Sequence, residues 1–405
     1  MDFGATPKSA REPRAVPLNI RIRFGCRGAI LRFRLRGSWP TETRVQRSPR
    51  LDAIPKTMTA VVYRGPNDLR VETVPVPRIR SDELLVRVAV CGVCPTDIKK
   101  IQYGTVSPPR IFGHETAGTI VRVGARVRGF AVGERVALHH HVPCRDCHFC
   151  RHRAFAQCAT YKRTGITAGF EPAGGGYAEY VRVMPFVLPG VVKIPARNSF
   201  LEGAMLEPVN TVLKAVERLR VLPGDAVLVA GQGPIGLMFT RLLVLRGVAV
   251  LATDLMPERL AWARRFGARW ALAGDDPALP SAVARCTRRL GLDAAVVAVP
   301  ADAVVQQALQ LVRGAGQVLL FAHTRRGERS VVDCAAICVD EKDLIGSYSA
   351  DVELQPAVAR LVFGRKLDVR PLITHQFPLA RTAEAVALAS RPQPDALKIV
   401  VSHQL

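Results

Sequence analysis

The sequence lacks any apolar run long enough to span a bilayer, although hydrophobic residues make up 48% of its 405 positions. Its first residues, MDFGATPKSAREPR, also lack the apolar core of a secretory signal peptide. A chain of this length has enough material for two or three buried domains. We therefore expect a globular cytoplasmic protein that has no membrane partner.

Acidic residues are scarce, since 34 Asp and Glu stand against 57 Lys and Arg and give a formal net charge of +23. A surplus of positive charge of this size is typical of proteins that bind nucleic acids. Residues 1–57 hold thirteen Lys or Arg against four Asp or Glu, and the remaining excess is spread without a dense basic run. A dispersed surplus is typical of a solvated surface, so we expect no specific nucleic-acid partner.

Residues 1–57 are rich in Arg and Pro and lack a sustained helical or strand period. Three interpretations compete: a disordered extension, a transit peptide poor in acidic residues, or translated sequence upstream of a start at Met58. We favour the first or the third, and we assign no chemistry to this basic extension.

The rest of the chain divides into three parts. Residues 58–208 show short strand patterns between Gly and Pro turns, which predicts a β-rich domain. Residues 209–345 alternate apolar strands such as DAVLVAG with helices such as PIGLMFTRLLVLRG. Near-continuous apolar strands are typical of a parallel sheet covered on both faces. Residues 346–405 return to mixed elements and are expected to complete the first domain.

The segment Gly231-Gln232-Gly233-Pro234-Ile235-Gly236 matches GxGxxG between an apolar strand and a helix. Gly231 allows a tight turn, Gly233 lets the backbone approach a pyrophosphate, and Gly236 allows close packing of helix on sheet. The next strand ends in Asp254, whose carboxylate would accept hydrogen bonds from the adenosine ribose and repel a 2′-phosphate. This pattern predicts NAD rather than NADP; the alternative is a Gly-rich turn that binds nothing.

Four cysteines follow the spacing C-x2-C-x2-C-x7-C, namely Cys144, Cys147, Cys150 and Cys158. Four thiolates so placed fit a closed tetrahedral zinc site, which is structural because no position stays open. The alternative is four unrelated buried thiols. The neighbouring histidines His139, His140, His141 and His148 are not needed as ligands, and we expect most of them at the surface or beside a ligand. Zinc-bound thiolates indicate a reducing compartment.

A second, looser set consists of CPTD from Cys94, GHE from Gly113 and EP from Glu207. Cysteine, histidine and carboxylate from separate segments are the ligands of an open catalytic zinc site. None of the three segments is convincing alone.

Together the motifs GVCPTD, GHE, the four-cysteine segment, GGGYAEYV, LEPVNTVLKAV, GQGPIG and LITHQFPL occur in this order. From about Met58 onward the chain resembles the zinc-containing medium-chain dehydrogenases, most closely the sorbitol and threonine dehydrogenase branch. The resemblance implies an α/β fold: a GroES-like β-rich catalytic domain with an inserted Rossmann domain, a doubly wound parallel sheet. We also expect a homodimer or homotetramer.

Carried over from that family, the ligands of the catalytic zinc fall on Cys94, His114 and Glu207. Glu115 would be an exchangeable or water-mediated ligand. Cys91 precedes the motif and is expected only to pack in the core.

The resemblance also assigns roles beside the metal. Thr96 matches the hydroxyl that relays the substrate proton, Arg259 a second ribose contact, and Ile235, next to Pro234, a wall of the nicotinamide nucleotide. Zinc would polarise the hydroxyl of a small alcohol substrate, and the alkoxide would transfer hydride to NAD. The implied substrate is a secondary alcohol of the polyol, sugar or amino-alcohol class.

Departures from the family bear on the substrate. Lys99 replaces the usual histidine three positions after Thr96, so the relay ends in Lys99 or in water. Lys100 replaces an aromatic residue, and the Arg-Tyr pair of sorbitol dehydrogenases falls on Ser349 and Ala350. The sorbitol contacts are thus missing. The two lysines favour a substrate carboxylate or phosphate, or else they are solvated surface residues.

Two rival functions remain at this stage. His141, three residues before Cys144, matches a histidine of the threonine dehydrogenase branch and keeps an amino-alcohol substrate open. A non-enzymatic relative would have lost zinc ligands or Thr96, and the sequence retains both.

Overall fold

The computed structural model of the chain describes residues 54–139, 141–163, 175–322, 327 and 329–403. Nearly all of the predicted basic extension, residues 1–53, therefore lies outside the described residues. Within the described part of the chain, no helix combines the length and apolarity needed to cross a membrane.

The described residues form strands and helices that alternate along most of the chain. The strands are β1 Thr57–Gly65, β2 Asp68–Pro75, β3 Leu84–Gly92, β4 Arg110–Ile111, β5 Glu115–Val123, β6 Arg135–Leu138, β7 Tyr180–Val183, β8 Val192–Lys193, β9 Ala226–Ala230, β10 Ala249–Asp254, β11 Trp270–Ala273, β12 Leu292–Val297, β13 Val312–Leu320, β14 Asp343–Gly346, β15 Ile373–Pro378 and β16 Lys398–Ser402. The α-helices are α1 Pro95–Tyr103, α2 His148–Arg151, α3 Ala159–Arg163, α4 Phe200–Ala204, α5 Leu206–Val216, α6 Pro234–Leu245, α7 Pro257–Arg265, α8 Leu279–Cys286, α9 Asp302–Leu311, α10 Cys334–Cys338, α11 Gln355–Phe363 and α12 Thr382–Ala389.

Two sheets build the β-rich part. A three-stranded sheet has the order β2-β1-β4, and a larger sheet has the order β15-β16-β3-β5-β6-β8 with β7 also paired to β3. The last strand, β16, runs antiparallel to β3, with Val401 opposite Cys91. Cys91 is fully buried, as predicted for a residue that only packs. The C-terminal segment thus lies directly beside the strand that leads into Cys94.

The second part is a six-stranded sheet of order β11-β10-β9-β12-β13-β14, in which every pairing is parallel. This is the doubly wound order of dinucleotide-binding folds, whose ligands bind at the carboxyl ends of the strands. Strand β9 is buried at all five positions because helices cover both faces of the sheet. The edge strands β11 and β14 escaped the sequence analysis, since they are short and half-buried.

Helix α5 connects the two parts and crosses the predicted boundary between residues 208 and 209. Its apolar face, which includes Val209 and Val212, shares one core with Leu237 and Phe239 of α6. This packing fixes the first turn of α5, and with it Glu207, against the large cavity described below.

Candidate active site and zinc centres

Three of the predicted metal ligands lie together where β3 and β5 meet. Cys94 precedes the first turn of α1, and His114 and Glu115 stand at the start of β5. One ligand atom from each of the three lies within 4.8 Å of the others. His114 and Glu115 are almost completely buried. Sulfur, nitrogen and oxygen donors held this close fit a zinc ion.

Asp97 orients the histidine of this cluster. It lies on α1, is fully buried, and places Oδ2 3.1 Å from His114 Nδ1. Burial disfavours the imidazolium, but the Asp97 carboxylate raises the pKa of His114 well above its usual range. A carboxylate on one ring nitrogen leaves the other nitrogen for a metal. Asp97 was not predicted as a site residue, although it is the last letter of CPTD.

Glu207, the third predicted ligand, is not part of the close cluster. Its Oε1 lies 3.2 Å from His141 Nδ1, and both residues line the same cavity as Cys94 and His114. His141 in turn stacks on the ring of Tyr161 at 4.7 Å. The structure therefore groups Glu115 with the metal-binding pair and places Glu207 on a neighbouring wall.

Lys398 is a buried residue of this site that the sequence did not predict. Its Nζ donates to Glu115 Oε1 at 2.6 Å and to the Val93 carbonyl oxygen at 2.9 Å. Burial disfavours its ammonium form, yet the Glu115 carboxylate outweighs this effect and raises the pKa of Lys398. The signal available in the sequence was a lysine at the start of the apolar run IVV, where a charge needs a partner.

One cavity of about 910 Å³ joins the metal cluster to the predicted dinucleotide loop. Cys94 and Thr96 line it on one side, and Gly233, Pro234 and Ile235 line it on the other. A metal-bound alcohol and a nicotinamide could therefore share a single cavity.

The dinucleotide loop has the geometry that its glycines predict. Gly231 has φ of 91°, a conformation that side chains disfavour. A Cβ on Gly236 would lie 1.7 Å from the Gly231 carbonyl oxygen, so only glycine fits there. Gly233 caps helix α6 and Pro234 starts it. The loop thus presents backbone at a helix N-terminus, which is suited to a pyrophosphate.

Asp254 and Arg259 flank this loop. Asp254 ends β10, and its Oδ2 accepts from the Gln232 backbone N–H at 2.6 Å. Arg259 lines the cavity beside Gly233 and donates from Nη2 to the Ala396 carbonyl oxygen at 3.3 Å. Asp254 is therefore held in place by the dinucleotide loop. Arg259 lies between this loop and the C-terminal segment.

The four-cysteine segment forms a second centre. The Sγ separations are 3.8 Å for Cys144–Cys150, 3.5 Å for Cys147–Cys150 and 3.6 Å for Cys158–Cys144. Four sulfurs at about 2.3 Å from a tetrahedral zinc would be about 3.8 Å apart, so the cluster fits that ion. Backbone N–H groups of residues 146 and 147 lower the pKa of Cys144 to about 6, which favours the thiolate.

Among the neighbouring histidines, His139 is fully buried and its ring lies 5.6 Å from that of His141. Burial lowers its pKa to about 4, so it is neutral at physiological pH. His141 does lie beside a proposed ligand, Glu207. His148 begins α2 and packs on Phe149. His140 lies outside the described residues.

Ser349 and Ala350, onto which the Arg-Tyr pair falls by resemblance, differ in their exposure to the cavity. Ser349 lines the cavity and is hydrogen-bonded to the Tyr161 hydroxyl, whereas Ala350 is fully buried. Lys99 and Lys100 both line the cavity and are half-buried, so neither is a purely solvated side chain.

Comparison with known proteins agrees with this arrangement. The alcohol dehydrogenase GroES-like domain matches residues 80–196, and the zinc-binding dehydrogenase domain matches residues 234–363. Sorbitol dehydrogenase from Bombyx mori is 30% identical over 354 residues, which cover 85% of this chain and 98% of that protein.

Two solved structures show the same fold over the same span. A protein from Sinorhizobium meliloti 1021 described as a zinc-binding dehydrogenase, bound to NADP, has 25% identity and a TM-score of 0.78, covering 86% of this chain and all of its own. Galactitol-1-phosphate dehydrogenase from Escherichia coli has 26% identity and a TM-score of 0.75, covering 85% of this chain and all of its own.

The chain therefore belongs to the zinc-containing medium-chain alcohol dehydrogenase family. The predicted fold, with a GroES-like part and a Rossmann part, is confirmed, and so is the prediction of an enzyme that uses zinc and a nicotinamide cofactor. It acts as an oxidoreductase on an alcohol.

Proposed function

We propose that this enzyme oxidises a secondary alcohol of a polyol-type metabolite and transfers the hydride to NAD. The observation that carries the proposal is the single cavity lined by both the metal cluster and the dinucleotide loop. Sorbitol dehydrogenase and galactitol-1-phosphate dehydrogenase, both polyol enzymes by name, are similar to the chain over most of its length.

We propose that Cys94, His114 and Glu207 hold the catalytic zinc, with Glu115 as an exchangeable ligand. A bound zinc supplies Lewis acidity that lowers the pKa of a substrate hydroxyl. Asp97 keeps His114 in the tautomer and orientation a metal requires, because it lies against Nδ1. Lys398 compensates the buried charge of Glu115.

We assign to Thr96 the role of relaying the proton that the substrate hydroxyl releases. This residue lies two positions after Cys94, in the first turn of α1, and it lines the cavity. Lys99 lies one helical turn further along the same face and also lines the cavity. Thr96 would pass the proton outward, and Lys99 or water would receive it.

The preference for NAD over NADP is assigned to Asp254. Its carboxylate ends β10 beside the loop and would meet a 2′-phosphate with like charge. The Sinorhizobium meliloti relative is bound to NADP, so the fold alone does not exclude that cofactor.

Several further assignments accompany this proposal. The four-cysteine centre would hold a structural zinc, and zinc-bound thiolates are typical of a reducing compartment such as the cytoplasm. We keep the division into a catalytic part (58–208 and 346–405) and a dinucleotide-binding part (209–345), and a homodimer or homotetramer.

A substrate panel tests the proposal directly. Purified enzyme loaded with zinc is given polyols, secondary alcohols and amino alcohols with NAD, and NADH absorbance is followed. We expect a polyol to give the highest kcat/KM. An amino alcohol is the second candidate, because His141 lies on the cavity wall beside Glu207. NADH formation only from an amino alcohol such as threonine would contradict the polyol assignment.

A further inference from the structure

Outside the Cys94 cluster, basic side chains outnumber acidic ones along the lining of the cavity. Lys99, Lys100 and Arg110 all line it, and each is half-buried. Among the described lining residues, the acidic side chains are Glu115 and Glu207, and both belong to the metal region. Two of the three basic side chains lie on α1 and the third on β4.

Helix α1 sets the separation of Lys99 and Lys100 from Thr96, the proposed proton relay. Lys99 and Lys100 follow Thr96 by three and four positions, which places all three on one face of the helix. Residues so related have Cβ atoms about 5–6 Å apart. Lys99 and Lys100 thus lie about one helical turn from Thr96.

Arg110 completes the group from a different element. It begins β4, and its Nε donates to the Ser107 carbonyl oxygen at 2.9 Å, which restrains the guanidinium. A guanidinium and two ammonium groups from separate segments suit an anion that accepts several hydrogen bonds at once. A phosphate monoester, a dianion with three terminal oxygens, fits this set better than a singly charged carboxylate.

The residues in place of the Arg-Tyr pair bear on how the enzyme would recognise a neutral polyol. Ser349 and Ala350 occupy the positions where sorbitol dehydrogenases carry an Arg-Tyr pair for the polyol, and Ala350 is fully buried. Neither residue carries the guanidinium or the phenol of that pair.

We propose that Lys99, Lys100 and Arg110 form a phosphate subsite and that the substrate is a phosphorylated polyol. This inference rests on the proposed polyol dehydrogenase function. The reaction itself would be unchanged: the carbinol C–H and O–H bonds break, NAD would take the hydride, Thr96 would relay the proton to water, and the phosphate ester stays intact.

Matched substrate pairs test the inference. NADH formation is measured with sorbitol and sorbitol 6-phosphate, with galactitol and galactitol 1-phosphate, and with the matching aldonic acids. We expect kcat/KM to be at least about tenfold higher for the phosphate than for its neutral partner, since hydrogen bonds to charged groups contribute this much or more. Added salt should lower kcat/KM for the phosphate more steeply than for the neutral polyol.

Variants then assign the effect to the subsite. Lys100→Met and Arg110→Met should each lower the phosphate-to-neutral ratio of kcat/KM by about tenfold to hundredfold, mainly through KM. Arg110→Lys, which keeps the charge, should retain more of the ratio. Lys366→Met removes one charge from an exposed position outside the cavity and should leave the ratio unchanged. Zinc content and melting temperature confirm that each variant is folded.

The outcomes separate the two proposals. A wild-type enzyme that oxidises the neutral polyol or the aldonic acid at least as well as the phosphate would overturn the phosphate subsite and leave the polyol function standing. A ratio that stays unchanged in both Lys100→Met and Arg110→Met would also overturn it. No NADH from any member of the pairs would instead overturn the proposed function.

Discussion

Replacing Lys398 by methionine is expected to destabilise the protein through the carboxylate that it leaves behind. Lys398 is 5% exposed and Glu115 is 1% exposed, so neither group can turn to bulk water. In Lys398→Met the ammonium is lost while the apolar stem is kept. Glu115 then stays buried without its charged partner, close to a second carboxylate, Glu207, whose charge opposes its ionisation.

The magnitude follows from this burial. Removing one partner of a buried ion pair costs about 3–5 kcal/mol, because an uncompensated charge remains in a medium of low polarity. The lost hydrogen bond to the Val93 carbonyl oxygen contributes to the same total. Removing both charges should cost less than removing one, so Glu115→Gln should recover part of the loss when combined with Lys398→Met.

The assay is urea unfolding followed by circular dichroism, with all variants in a Cys94→Ala background. That background removes one ligand of the catalytic zinc, so that a bound metal does not compensate Glu115. We expect a drop of about 3–5 kcal/mol in the unfolding free energy for Lys398→Met and a smaller drop for the double variant. A loss below about 0.5 kcal/mol, the range of ordinary surface substitutions, would refute the reasoning.

Three further substitutions test separate parts of the account. Asp254→Ser should raise the NADP-to-NAD ratio of kcat/KM, because the charge that repels a 2′-phosphate is gone; a wild-type enzyme that already uses NADP as well as NAD would show that the assignment is wrong. Cys147→Ser should leave one zinc per chain by metal analysis and lower the melting temperature, since a closed metal site contributes to folding free energy; two zinc ions and an unchanged melting temperature would contradict it. Thr96→Ala should lower kcat by about a hundredfold to ten-thousandfold with zinc retained, while Thr96→Ser should be tolerated; near-normal kcat in the alanine variant would remove the relay.

Local patterns in the sequence were sufficient to predict most of the fold. The strands and helices from β9 to α7 have strong apolar periodicity or punctuation by Gly and Pro, and they were predicted close to their observed bounds. The short edge strand β11 was missed because four residues, three of them half-buried, are too few to show a hydrophobic period. The predicted boundary between residues 208 and 209 falls inside helix α5, whose first turn holds Pro208, a position where Pro is well accommodated.

The site depends more on contacts between distant residues. Clustered motifs such as the four cysteines are visible in the sequence because their members are close along the chain. The partnership of Glu115 with Lys398 spans 283 residues and depends on β16 lying beside β3. The contact of His141 with Glu207 likewise depends on the packing of α5. Such pairs are fixed by tertiary structure, and no local spacing encodes them.

The central claim is that the Cys94 cluster holds the zinc that activates the alcohol. Zinc per chain and the rate of NADH formation, measured together on the wild type and on Cys94→Ala, test it most directly. We predict two zinc ions and turnover for the wild type, and one zinc ion, held by the four cysteines, without measurable turnover for the variant. A Cys94→Ala enzyme that forms NADH at the wild-type rate with a single zinc would contradict the account.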